Sequence, residues 1–262
     1  MWRRARPPGA TEWAFEPQGW DTEDPLLKGW NVDAVARAEA ERWAPFLATL
    51  SGPGPVGVSH EETLPVRDDV CAHNTIMCFA YVLARAAGHR DAMAMLDWGG
   101  GVGHYYQIGR TLFPGLRLDY TCKELPAMAR TGRELQPALR FVDSETAAFD
   151  RPYELVMASS SLHYARDWTR LLRTLAGAAR GHLYVTRLPL IERNDSFVVR
   201  QRAYAYGYDT EYLGWCLNRG EFLDAAASAN MRLEREFLID EDFPVPGAPE
   251  PIGCRGFLFC PA

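Results

Sequence analysis

Asp97, Gly99, Gly100, Gly101 and Gly103 stand together in the run Leu96-Asp97-Trp98-Gly99-Gly100-Gly101-Val102-Gly103, and a carboxylate, Glu124, follows 21 residues after the last glycine. Glycines at alternate positions let a turn pass through backbone angles closed to other residues, and let a ligand approach the main chain without meeting a Cβ. The aspartate, two residues ahead, can accept hydrogen bonds from the loop or from the ligand. The chemistry this set suits is the cradling of an adenosine-containing ligand. Glu124 is in register to accept both hydroxyl protons of a ribose through charge-assisted bonds, although a glutamate also suits the first turn of a helix.

Strands and helices must bring these residues together. Ala92-Met93-Ala94-Met95-Leu96 is an apolar run of strand length, and His104-Tyr105-Tyr106-Gln107-Ile108 continues with helical spacing toward Leu112 and Phe113. A second strand is predicted over 116–122; it runs out at Lys123-Glu124, and Leu125 is then placed to lie against an adenine face. A third, 139–142, ends in Asp143-Ser144, which offers either an acceptor for an adenine amino group or a helix cap. A fourth, 153–158, runs into Ser159-Ser160-Ser161-Leu162-His163-Tyr164. Small residues there let the chain pass close to a bound ligand.

A dinucleotide fingerprint would place glycines at positions one, three and six, and the sixth position here is His104. The glycine motif with Asp97, Glu124, Asp143 and the 159–164 strand end resembles instead the class I S-adenosylmethionine-dependent methyltransferases, from about residue 91 to the C-terminus. The resemblance continues through a fifth strand at 181–186, a helix near 221–227 and two last strands at 233–239 and 255–260. It implies an α/β fold: a Rossmann-like, doubly wound sheet of seven mostly parallel strands, the last antiparallel, with the cofactor over the carboxyl ends. It also implies S-adenosyl-L-methionine as cofactor, held by Asp97, Gly99, Gly100, Gly101, Gly103, Glu124, Leu125, Asp143, Ser144 and Ser159. A narrower likeness rests on 96–106, Glu124-Leu125-Pro126-Ala127-Met128, Thr186-Arg187-Leu188-Pro189, 212–218, Gly29-Trp30-Asn31 and His73-Asn74-Thr75. It is to a subgroup of bacterial methyltransferases whose substrates are mostly uncertain, and it supplies no acceptor.

Methyl transfer from a sulfonium needs alignment and exclusion of water, and a base helps when the acceptor is a hydroxyl. Histidine, with an ordinary pKa of about 6.5, can take such a proton near neutrality. His163, after the fourth strand, is the first candidate and His104 the second; capping and packing are the plainer roles. The stretch 188–218 reads as an unusually long connection rich in aromatics, among them Tyr204, Tyr206, Tyr208, Tyr212 and Trp215. Such loops tend to be functional, so Tyr208, Tyr212 and Trp215, with Tyr164 from the fourth strand's end, are expected to line an acceptor pocket; a homodimer contact is the alternative to the loop's part in it. Arg187 would bind an acceptor carboxylate or phosphate, or sit in an internal ion pair.

Residues 1–90 are of a different kind and are expected to form an arm and a helical cap, with 91–262 as the methyltransferase domain. Trp13, Phe15, Trp20 and Trp30 anchor an irregular arm. Helices are predicted over 32–50, with Pro45 near its end, and over 69–87, stopped by Gly88. The second is apolar nearly all round from Ile76 to Leu83, which predicts burial. His73 and Asn74 on it would cap the helix or wall the acceptor pocket, and His60, between the helices, is expected in solvent.

The chain has 262 residues, 47% of them hydrophobic, enough for a substantial core. Its net charge of −6 and pI near 5.6 argue against a general nucleic-acid binder. The basic opening Met1–Arg6 is followed by Pro7-Pro8-Gly9 and not by an apolar core, so it does not read as a signal peptide. No uninterrupted apolar run of spanning length is seen, so no membrane partner is expected. Six cysteines without a CxxC pair suggest free thiols in a reducing cytoplasm, and neither histidines nor carboxylates cluster as metal ligands. The resemblance, with which these features agree, implies a methyltransferase (EC 2.1.1.-) acting on a small-molecule acceptor, by O-methylation, in secondary metabolism or surface carbohydrate synthesis. The alternatives are a non-catalytic S-adenosylmethionine-binding partner or scaffold protein and, less favoured, an NAD(P)-dependent oxidoreductase.

Overall fold

The structure, a computed structural model, describes residues 11–56 and 69–262. The basic opening segment and His60 lie outside the described residues. A short strand, β1 (Trp13–Phe15), precedes helices α1 (Asp33–Leu50) and α2 (Val70–Ala87). Then β2 (Ala92–Trp98), α3 (His104–Leu112), β3 (Arg117–Lys123), α4 (Pro126–Leu135), β4 (Arg140–Val142), α5 (Glu145–Ala148) and β5 (Tyr153–Ser159) alternate. After a 3-10 turn at Leu162–Tyr164 come α6 (Trp168–Ala178), β6 (Ala179–Ile191), β7 (Phe197–Arg202), β8 (Glu211–Asn218), α7 (Arg219–Ser228), β9 (Met231–Phe243) and β10 (Ile252–Pro261).

The seven expected strands are present as β2 to β6, β9 and β10. Strands β4, β3, β2, β5 and β6 run parallel side by side, and β10 is antiparallel to both β6 and β9. Among the described residues the sheet has ten strands, however, not seven. The segment expected to be a long connection is mostly strand: β7 and β8 form an antiparallel ribbon from Phe197↔Cys216 to Arg202↔Glu211, and β1 pairs with β7. The ribbon has a physical reason in the length of β6. At 13 residues, β6 outruns β5, whose last pair is Ser159↔Thr186, and its exposed edge is taken up by β8 at Leu190↔Leu217 and Ile191↔Asn218. Pairing the protruding edge satisfies backbone groups that would otherwise be left open. It also places the β1-β7-β8 ribbon beyond the carboxyl end of β5.

Alternation along the central strands feeds two layers. Met95, Leu155 and Met157 pack with Phe79, Leu83, Ile108 and Met128 on one face, whereas Leu96, Val156 and Ala158 pack with Leu171, Leu175 and Phe222 on the other. Helices therefore cover both faces, the doubly wound arrangement. Helix α2 belongs to the first layer: Phe79, Val82 and Leu83 are fully buried, and the helix touches α3, β5, β6 and β9. Burial of each such side chain contributes about 1.5–3 kcal/mol. Asp69 caps it, accepting the Ala72 N–H at 2.9 Å, and Gly88 ends it. By length and composition α2 could cross a membrane. Its outer side is less buried than its sequence predicts, since Val70, Met77 and Tyr81 are exposed.

Helix α1 lies against α3 and α4 at the carboxyl end of the sheet. Val35, Trp43 and Phe46 bury its apolar stripe, and Glu39 and Arg42 are buried with them.

Candidate active site

Over the carboxyl ends of β2, β3 and β5 lies a cavity of about 680 Å³, walled on its far side by the β1-β7-β8 ribbon and by α1. The glycine turn forms its floor. Gly99, Gly101 and Gly103 have φ of +72°, +61° and +89°, in the left-handed region that favours glycine. A Cβ on Gly99 would lie 2.5 Å from Ser161 Cβ, and one on Gly103 2.5 Å from Gln136 Nε2. These two glycines thus let neighbouring loops close on the turn, while Gly101 bends it beside the cavity.

Glu124, at the tip of β3, ties the two loops at the mouth together. Its Oε1 accepts the Gly101 N–H at 2.9 Å and its Oε2 the Leu125 N–H at 2.8 Å. A carboxylate has about four acceptor positions, so two remain for a ligand. Burial pushes the Glu124 carboxyl up, and the two amides oppose that rise. Asp97 is fully buried beneath the turn and accepts a hydrogen bond from the Tyr120 hydroxyl. Burial pushes its carboxyl up to about 7, against the lowering by Tyr120 and with a smaller raising contribution from Glu124. Its Oδ1 finds no hydrogen-bond partner among the described residues.

At the end of β5, Ser159 Oγ and Tyr105 Oη are 3.0 Å apart, and Ser161 donates to the Trp98 carbonyl at 2.7 Å. Ser160 holds φ +48° and donates its N–H to the Thr186 carbonyl, which turns the chain sharply along the cavity. His163 follows, buried, with its ring 4.0 Å from that of Tyr164. Gly214 of β8 makes room for both rings, since a Cβ there would lie 3.3 Å from each.

The far wall is aromatic. Trp30 stacks on Tyr212 at 4.1 Å, and Tyr164 stands edge-on to both, at 5.1 and 5.2 Å. Tyr164 donates to Gln201 Oε1, Gln201 Nε2 to Glu12, and Tyr206 to Glu12. Tyr208 donates to Glu39 at 2.6 Å, and Glu39 also faces His104 Nε2 at 3.5 Å and Arg42 at 3.6 Å. His104 is boxed edge-on by Trp43 and Phe46.

Of the residues singled out from sequence, Gly99, Gly100, Gly101, His104, Glu124, Leu125, Ser159, His163, Tyr164, Arg187, Tyr208 and Tyr212 line this cavity. Asp97 and Gly103 support its floor from below. Arg187 lines it while making a two-pronged ion pair with Glu241 at 2.9 and 3.0 Å, the internal pairing weighed from sequence. The others lie elsewhere. Asp143 pairs with Arg133, and Ser144 caps α5 by accepting the Ala147 N–H. Asn74 donates to the Leu238 carbonyl of β9, His73 sits beside it on α2, and Trp215 packs on Trp20 outside the cavity. In the sequence Trp30 reads as an arm anchor, and Glu12, Glu39 and Gln201 carry no assignment, whereas Tyr206 belongs to the aromatic stretch expected to build a pocket. Glu39 left a signal: it falls on the same helical stripe as Val35, Trp43 and Phe46, where a charge is out of place. Among the described residues no group of three or more His, Cys, Asp or Glu is arranged to hold a metal ion.

No family model matches the chain, and no curated protein matches it in sequence. Solved structures do. One is an S-adenosylmethionine-dependent methyltransferase from Clostridium acetobutylicum ATCC 824, with a TM-score of 0.50 and 9% identity over 72% of this chain and 90% of that one. Another is the O-methyltransferase from a trans-AT PKS multienzyme of Brevibacillus brevis in complex with S-adenosyl-L-homocysteine. It has a TM-score of 0.52 and 12% identity over 70% of this chain and 71% of that one. At such identities the likeness is one of fold: the chain shares the α/β fold of these two methyltransferase structures.

Proposed function

We propose that the chain is an S-adenosylmethionine-dependent methyltransferase that methylates an oxygen of a small molecule, in secondary metabolism or surface carbohydrate synthesis. The observation that carries this reading is the Glu124 carboxylate, bound to the Gly101 and Leu125 amides at the mouth of a cavity of about 680 Å³. Cavities of roughly 300–1,000 Å³ are the usual size for small-molecule sites. The residues present fit the cofactor: a left-handed glycine turn offers main chain at its floor, Glu124 keeps acceptor positions for a ribose diol, and Leu125 and Met128 offer apolar surface to an adenine. Bound there, the cofactor supplies an electrophilic methyl group.

The protein's own part is to orient the acceptor, exclude water and take a proton. The ribbon and α1 close the cavity's far side, largely with ring surface, which limits the approach of water from that side. His163, on the turn after β5, takes the proton of the acceptor hydroxyl, and Tyr164 beside it holds its ring in place. His104, held between Glu39 and the aromatic rings of α1, is the second candidate for that role. We place the protein in the cytoplasm, and its six free cysteines fit a reducing compartment.

The test is incubation with methyl-labelled cofactor and a metabolite extract. The reading expects S-adenosylhomocysteine to form together with a product heavier by one methylene. Cofactor binding without any methylated product would favour a non-catalytic binding protein instead.

A further inference from the structure

Resting on the methyltransferase reading, and favouring its secondary-metabolism arm over carbohydrate synthesis, we infer that the acceptor is a flat aromatic ring without an acidic group, received on the Trp30–Tyr212 wall. Ring surface is what this wall has to offer. Four of the polar tips around it are turned on other lining residues, Tyr164 to Gln201, Gln201 and Tyr206 to Glu12, and Tyr208 to Glu39. A polyhydroxylated guest would have to break those bonds to form its own, and exchanging one hydrogen bond for another yields little net free energy. A flat ring gains by offset stacking or edge contact with rings whose centroids lie about 4.5–7 Å away, beyond the apolar area it buries. The lining also disfavours an anion. Arg187 is clamped by Glu241, Arg170 and Arg166 face Glu145 and Asp21 in exposed pairs, and Lys123 lies 4.5 Å over the Trp98 ring. The carboxylates Glu12 and Glu39 meanwhile stand in the aromatic wall itself.

Trp30 comes from the segment before α1, so the arm sets specificity for a reaction whose cofactor is held some 70 to 95 residues later in the chain. Three probes on one skeleton test this: 2-naphthol, decahydro-2-naphthol, which keeps the hydroxyl but is puckered, and 6-hydroxy-2-naphthoate, which adds a carboxylate. Each is titrated calorimetrically into the protein saturated with S-adenosylhomocysteine. The inference expects saturable binding of 2-naphthol, with each of the other two at least tenfold weaker. Trp30→Leu should bring 2-naphthol down to the affinity of the puckered analogue while S-adenosylhomocysteine still binds. If the variant does not fold, the three-probe order in the unaltered protein still decides. Equal or tighter binding of either analogue, or no saturable binding of 2-naphthol, overturns the inference. Failure of S-adenosylhomocysteine to bind in the first titration would instead overturn the methyltransferase reading beneath it.

Discussion

The Gly101 amide and the Glu124 carboxylate, 23 residues apart in sequence, meet at 2.9 Å and lock the glycine turn after β2 to the tip of β3. The turn is thereby set before a ligand arrives, and a preorganised site spends less of its binding free energy on ordering.

Gly99 tests the turn itself. Gly99→Ala adds a Cβ at φ +72° and 2.5 Å from Ser161 Cβ, so strain and collision combine. We expect a loss of roughly 1–3 kcal/mol in denaturant unfolding and a marked loss of cofactor affinity. Gly115→Ala, where a Cβ meets nothing within 4 Å, should change neither.

Asp97 governs a pH dependence. Its folded carboxyl is raised to about 7 from an ordinary 3.8, chiefly by burial, so the folded chain keeps a proton that the unfolded chain has already lost. The stabilisation from that proton is fully present below about pH 4, declines as pH rises to about 7 and is gone above it. Asp97→Asn abolishes the decline. Its unfolding free energy relative to the unaltered protein should therefore climb between pH 4 and 7 and level off, each tenfold in proton affinity being worth about 1.4 kcal/mol. Parallel stability curves for the two proteins across that window would contradict this.

His163→Gln separates chemistry from binding. Loss of a general base typically costs about 10²–10⁴ in rate, so turnover should fall by at least that lower figure. The affinity for S-adenosylhomocysteine should stay within about twofold, as measured by calorimetry. The same comparison with His104→Gln ranks the two histidines.

Helix α2 is a wall of the core. Phe79→Ala at a fully buried position should cost about 3–5 kcal/mol, read by chemical unfolding. An appendage standing apart from the sheet would lose far less.

Much of this was legible because it is local. The strands that became β2 to β6 are apolar or alternating runs ended by turn residues, α2 begins and stops at Asp69 and Gly88 as read, and Glu124 follows from its spacing after the glycines. What escaped was non-local. Strand β1 has three residues and gains its identity only from pairing Trp13 with Gln201, 188 positions away. In β7, Arg200 looks like a loop residue until Glu16, Asp24 and Glu211 gather around it, two of them from the N-terminal arm. For the same reason Trp30 and Glu39 could not be joined to a site whose motif lies some 60 residues on. At Asp143 and Ser144 one spacing suits a ligand, an ion pair and a helix cap alike, and the ion pair and the cap are the contacts they make with other residues of the chain.

The most direct test is calorimetric titration of the purified protein with S-adenosylhomocysteine and, separately, with NAD. We predict one saturable site for S-adenosylhomocysteine and none for NAD. Glu124→Ala should weaken that site by roughly 10- to 100-fold, as expected for loss of charge-assisted bonds worth about 1.5–3 kcal/mol. No heat of binding for S-adenosylhomocysteine, or an affinity untouched by removal of the Glu124 carboxylate, would contradict the account.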